Sequence, residues 1–212
     1  MSILLYTWNT PNGRKISVAL EEMNLPYTVK TVNLSKGEQF APEFLRISPN
    51  NKIPAILDAD GPDGEPISVF ESGAILLYLA EKTGKFLPGS LRERVPVLEW
   101  LMWQMGGFGP IPGQVHHFRM VESEADRHYG LKRYSEETHR LYGVLDRRLA
   151  DVEFVAGGAL SVADFAILGW AWRHERHQVS LDQYPNVKRW YEALWARPAV
   201  QRGFAVKLDD AE

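Results

Sequence analysis

The chain has 212 residues, 45% of them hydrophobic and 24% charged, with a net charge of −3 and no cysteine. That length suits one large domain or two small ones. The mild acidity argues against a general nucleic-acid binder, and the missing cysteines exclude disulfide frameworks, thiolate zinc sites and a cysteine nucleophile.

Residues 2–8 form a short apolar run, expected as a buried strand. The same opening, MSILLYTW, has neither the basic leader nor the apolar length of a signal peptide. No apolar run approaches the roughly 20 residues of a membrane span. A soluble, cytoplasmic protein is expected, without membrane or nucleic-acid partners.

After NTPNG, Ile16, Ala19, Leu20 and Met23 recur at helical spacing. A hairpin through Asn12-Gly13 would need a second strand there. TPNG therefore reads as a strand-to-helix turn, with the helix starting at Gly13 or Arg14. Tyr27 to Asn33 alternates and reads as a second strand, parallel to the first by a right-handed crossover. APEFLRISP is a short helix at best. KIPAILD and PISVFE are two strands joined by the hairpin loop ADGPDGE. In ESGAILLYLAEKTGK every residue from Ala74 to Ala80 is apolar. That predicts a helix covered on more than one side, by a sheet and by a second domain or subunit.

GKFLPGSLRE looks like a linker, and beyond it only helical periods appear. Residues 93–121 form a long segment interrupted by GGFGPIPG. A clear helix covers about 134–149, SVADFAILGWAW reads as a core helix, and a final helical segment is broken at Pro198. The layout is βαβαββα followed by an all-helical half.

Three motifs stand out. SVAD, Ser161 to Asp164, is a capping box worth about 0.5–2 kcal/mol and marks the fold, not the chemistry. In KIPA, Pro54 takes the first position of a strand, where its missing N–H does no harm. A trans bond is sufficient there. A cis Ile53-Pro54 bond would instead turn the Ile53 backbone outward, able to pair with an extended peptide. In FESGA, Ser72 reads as an N-cap. Helix N-termini also favour carboxylates, so Ser72 could donate to one while Glu71 pairs with an ammonium. Together they would grip both charges of an α-amino acid end. His116-His117 diverge on a helix and HERH lacks a third ligand, so no metal site is expected. GGFGPIPG lacks the phosphate-loop pattern; it reads as a helix kinked at Pro110, with glycines allowing close backbone approach.

These features in this order resemble the glutathione transferases over essentially the whole chain. TPNGRK, KGEQF, ESGAILLYLA, QMGGFGPIPGQ and KRYSEETHRLYGVLD are similar to the bacterial Nu class, the glutathione-dependent disulfide-bond oxidoreductases. The resemblance implies an α/β plus all-α architecture. A thioredoxin-like glutathione-binding domain would cover residues 1–84, and an all-helical domain forming the second-substrate site would cover 92–212. It also implies cis Pro54 and a two-fold homodimer. Thr10 and Asn12 would activate the glutathione sulfur. Gln39, Lys52, Ile53, Pro54, Glu71 and Ser72 would bind glutathione, with Arg133 reaching in from the helical domain. Asn9 departs from the pattern, which has proline or a small residue there. Tyr6 is an alternative, since some transferases use a tyrosine, but it lies early in the strand and ranks below Asn12.

The chemistry follows from a thiol that arrives on the substrate. A cysteine-like thiol ionises near pH 8.5, and lowering that by about two units needs roughly 2.7 kcal/mol of selective thiolate stabilisation. Helix N–H groups contribute about 0.3–2 kcal/mol, and each donor from Thr10 or Asn12 about 1.5–3 kcal/mol. Neither side chain titrates near neutrality, so the role is electrostatic. The expected function is glutathione-dependent reduction of small disulfides or attack on electrophiles, with two glutathiones or one glutathione disulfide per site and no metal. The alternatives are a general transferase for aromatic or xenobiotic electrophiles, compatible with apolar Trp103, Phe108, Ile111 and Phe118, and a non-catalytic glutathione-binding scaffold.

Overall fold

A computed structural model of the chain describes residues 3–208. These form two compact units. One runs up to Lys85 and resumes at Ala196; the other spans Phe86–Trp195.

The first unit contains β1 (Ile3–Thr7), α1 (Pro11–Met23), β2 (Tyr27–Thr31), α2 (Pro42–Leu45), β3 (Ala55–Asp58), β4 (Ile67–Phe70) and α3 (Ser72–Thr83). This is the predicted βαβαββα order of a thioredoxin-like domain. Ser2, assigned to the first strand from sequence, lies outside the described residues. The strands are ordered β2-β1-β3-β4, with β1 parallel to β2 and the other pairs antiparallel. Helix α1 buries its predicted face: Ile16, Ala19 and Leu20 are 0% exposed. On α3, Ile75, Leu76, Leu79 and Ala80 are buried, but Ala74 is exposed and Leu77 and Tyr78 are half-buried.

The end of the chain also packs here. Helix α9 (Pro198–Ala205) lies against α1. Arg14 donates through Nη1 to the carbonyls of Gly203 (3.4 Å) and Val206 (3.1 Å), and Ser17 Oγ donates to Gly203 (2.7 Å). Arg197 forks Glu22 with two 2.7 Å bonds. The helical half predicted to run from 92 to 212 thus differs from the compact unit, because these long-range contacts hold the last helix on the first one.

The second unit comprises α4 (Leu91–Trp103), α5 (Pro110–Phe118), α6 (Glu124–Asp151), α7 (Val162–Ala171) and α8 (Pro185–Trp195). A π-helical turn, Gln104–Phe108, separates α4 from α5 at the predicted break. A Cβ on Gly109 would lie 2.7 Å from Gln104 Nε2 and 3.1 Å from Trp170 Nε1, so side chains, not backbone, make the closest approach there. Helix α6 begins well before residue 134, with the Ser123 hydroxyl accepting from the Asp126 N–H. Every residue of α7 is buried. At its start, the Asp164 carboxylate takes the Ser161 N–H at 3.0 Å, the expected arm of the capping box, and also receives the Ser161 hydroxyl at 3.0 Å.

Candidate functional site

Sheet register gathers most of the predicted residues. Tyr6 pairs with Ala55, and Ala55 pairs with Phe70. The chain leaving β1, the chain entering β3 and the chain leaving β4 therefore meet at one end of the sheet. They carry Thr10 and Asn12, Ile53 and Pro54, and Glu71 and Ser72. The Ile53-Pro54 bond is cis. Thr7 pairs with Thr31, and the Val32 N–H donates to the Thr7 carbonyl at 3.0 Å, so the chain leaving β2 starts from the same end. That chain carries Gln39 in a short 3-10 turn, Glu38–Phe40. Gln39 Oε1 is buried and has no hydrogen-bond donor among the described residues. Lys52 is exposed, and its carbonyl accepts from Ser48 Oγ at 2.8 Å.

The start of α1 differs from the sequence expectation. The helix begins at Pro11, with Thr10 as its N-cap. Proline suits the first helical position because no N–H is needed there. The Gly13 N–H donates to Thr10 Oγ1 at 3.1 Å, and the Arg14 N–H to the Thr10 carbonyl at 3.1 Å. With the helix starting at Pro11 instead, the Gly13 and Arg14 N–H groups are engaged within the turn. What the turn offers an anion is the Thr10 hydroxyl proton and the amide groups of Asn12, which is half-buried on the first turn. The departure at Asn9 has a partner: its Oδ1 accepts from Arg14 Nη2 at 3.1 Å, tying the turn to the arginine that holds α9.

At α3, Glu71 and not Ser72 occupies the N-cap position, with φ 68° and ψ 119° and no side-chain cap bond. A non-glycine residue at such angles costs about 1–3 kcal/mol, and such strain clusters at ligand clamps. Asn50 Nδ2 donates to Glu71 Oε1 at 3.0 Å. Ser72 sits at the first helical position, 4% exposed, and its Oγ accepts from Lys15 Nζ at 3.2 Å. Lys15 is 1% exposed, and burial pulls its ammonium down to about 7 against the opposing attraction of Glu71. Sequence reasoning missed Lys15 and Asn50; no local pattern singles out either.

Tyr6 is 7% exposed and packs with Val32, Phe44, Ile53 and Ala55, its ring 5.9 Å from that of Phe44. It serves the core. Arg133 lies on α6 in the second unit. Its neighbour Glu137 is already forked by Arg140 with two 2.7 Å bonds. Phe108 is 0% exposed and stacks on Trp103 at 5.1 Å, and Phe118 stacks on Tyr134 at 5.5 Å. Of the residues read as compatible with a pocket for aromatic electrophiles, Trp103 and Phe108 thus pack on each other and Phe118 packs on Tyr134.

The glutathione S-transferase N-terminal domain model matches residues 10–82, and the C-terminal domain model of the same family matches 110–198. The chain is 53% identical over 198 residues to the disulfide-bond oxidoreductase YfcG of Escherichia coli, covering 92% of this chain and 91% of that one. A Pseudomonas putida glutathione transferase, solved with one glutathione disulfide bound per subunit, superposes with a TM-score of 0.90 at 43% identity, covering 98% of this chain and 92% of that one. A Pseudomonas fluorescens family member with two glutathiones bound gives a TM-score of 0.89 at 43% identity, covering 97% and 93%. With both halves matched in order and half of its residues shared with a curated relative, the chain belongs to the glutathione S-transferase family.

Proposed function

We propose that the protein is a glutathione-dependent disulfide-bond oxidoreductase of the Nu class, acting as a cytoplasmic homodimer. The observation that carries this reading is the convergence of Thr10, Asn12, Ile53, Pro54, Glu71 and Ser72 at one end of the sheet in a chain without cysteine. Glutathione supplies the sulfur. The Thr10 hydroxyl and Asn12 amide donate to the thiolate. The Ile53 backbone and cis Pro54 receive the extended peptide, with Gln39 and Lys52 along it. Glu71 takes the ammonium and Ser72 the carboxylate of the γ-glutamyl end. The unpartnered, buried Gln39 oxygen supports a donor-bearing ligand at that position.

The reaction balances without a protein thiol. A glutathione thiolate attacks one sulfur of a small disulfide, forming a mixed disulfide and expelling a thiolate. A second glutathione thiolate attacks the glutathione sulfur of that species, forming glutathione disulfide and expelling the other thiolate. Two electrons pass from two glutathiones to the substrate disulfide, and the expelled thiolates take up protons from solvent. Relatives solved with two glutathiones or with glutathione disulfide support a site for both molecules.

Ultraviolet titration of thiolate absorbance tests the reading directly. Glutathione bound to the protein is expected to ionise about two pH units below its ordinary value near 8.5. Ionisation unchanged from buffer would remove the mechanism. Asn12→Ala is expected to lower kcat roughly tenfold to a hundredfold while leaving KM for glutathione near its wild-type value. Arg133 is read as pairing with a carboxylate of the second glutathione. Arg133→Ala should weaken glutathione disulfide about tenfold and single glutathione little, by isothermal titration. Equal losses for both ligands would make Arg133 structural.

A further inference from the structure

Lys15 has no part in the proposed chemistry so far, yet it is one of the largest fully buried side chains among the described residues. A lysine stem lies readily in apolar surroundings while its ammonium seeks water; a fully enclosed ammonium is uncommon and needs a polar partner. Here one such partner is Ser72, at the first helical position of α3. The contact joins residues 57 positions apart and links the second turn of α1 to the residue read as the carboxylate donor.

We propose that Lys15 is a positioning residue for the anionic end of glutathione, fixing the Ser72 hydroxyl and adding buried positive charge where the γ-glutamyl α-carboxylate docks. This rests on the reading of Ser72 as a carboxylate donor. A hydroxyl that accepts from an ammonium is polarised, so its own O–H becomes a stronger donor. The contact fixes the serine rotamer before the ligand arrives, which reduces the ordering needed on binding. A cation withdrawn from water is screened less by salt than an exposed one, so its field at a neighbouring carboxylate is stronger. Glu71, one residue away, attracts the same ammonium and keeps the local charge near neutral until the ligand binds. Burial alone favours the neutral amine, so a bound carboxylate would help hold the proton on Lys15.

The test pairs a substitution with a ligand change. Lys15→Met removes the charge and keeps the length. It is expected to raise KM for glutathione about tenfold, while kcat and the ionisation of the bound thiol stay within about twofold. The second ligand is an analogue with 4-aminobutyryl in place of γ-glutamyl, which lacks only the α-carboxylate. The wild type should prefer glutathione to this analogue, and in the variant that preference should shrink about tenfold. Lys15→Arg should retain the preference. Lys15→Gln serves the same measurement if the methionine variant does not fold. A variant that weakens both ligands equally overturns the proposal and leaves the site reading standing. A wild-type protein that binds neither ligand overturns both.

Discussion

Replacing Gly13 by alanine is expected to lower kcat/KM for glutathione-dependent turnover by more than about a hundredfold. Propensity alone argues the other way. Gly13 lies inside α1, where alanine is favoured over glycine by about 1 kcal/mol. Packing decides the sign. A Cβ there would sit 2.4 Å from Thr7 Oγ1 and 2.5 Å from the Trp8 carbonyl. The threonine could change rotamer, although it is only 3% exposed. The carbonyl cannot move freely: it accepts the Thr10 N–H at 2.7 Å, and β1 ends one residue earlier. The first turn of α1 must shift instead, and that turn holds both residues proposed to meet the sulfur. Overpacking of this kind costs about 1–3 kcal/mol, which a domain of ordinary stability survives. The variant should therefore fold, with a melting temperature lowered by a few degrees. The decisive readout is bound-thiol ionisation, which should move back toward the value in buffer. A variant that melts lower but ionises and turns over glutathione like the wild type would show that the turn is a packing device only.

The turn was legible as a turn, but not as the cap that it is. TPNG announced a strand-to-helix junction, and the helical spacing of Ile16, Ala19, Leu20 and Met23 excluded a hairpin. The helix start was misread because Pro11, which can break a helix, is also well suited to open one. Glu71 was hidden for a different reason. Its left-handed backbone has no sequence signal, since glycine or asparagine is the usual occupant of such angles. Serine, the commoner cap, was assigned in its place.

Lys15 and the last helix were hidden by distance. A lysine flanking an apolar helix face ordinarily points to water. Its ammonium meets Ser72 at the start of α3, which packs on α1 from 57 positions along the chain. The same is true of Arg14, whose carbonyl partners lie 189 and 192 positions away. Periodicity reads one element at a time, so it found the elements and missed what they enclose. The Ser161–Asp164 box was found because its main contact is three residues long.

Asp164→Ala is expected to destabilise the helical unit by about 2–5 kcal/mol, beyond the value of a surface cap, because buried donors are left without an acceptor. Asp164 is 0% exposed and its two oxygens take four donors: the Val155 N–H at 2.9 Å, the Trp190 indole N–H at 2.9 Å, and the Ser161 N–H and hydroxyl at 3.0 Å each. One carboxylate thus ties the start of α7 to the segment before it and to α8. Alanine would leave Trp190 and Val155, 1% and 0% exposed, with buried donors and no acceptor. Each such group costs about 1–3 kcal/mol, offset in part because a buried charge has gone. Asp164→Asn separates charge from geometry. Its amide oxygen can still serve Val155 and Trp190, but its NH2 faces the Ser161 donors, so an intermediate loss is expected. Urea unfolding followed by tryptophan fluorescence measures all three proteins. If alanine and asparagine variants unfold within about 1 kcal/mol of the wild type, the four contacts are weak, and α7 is held by its apolar burial alone.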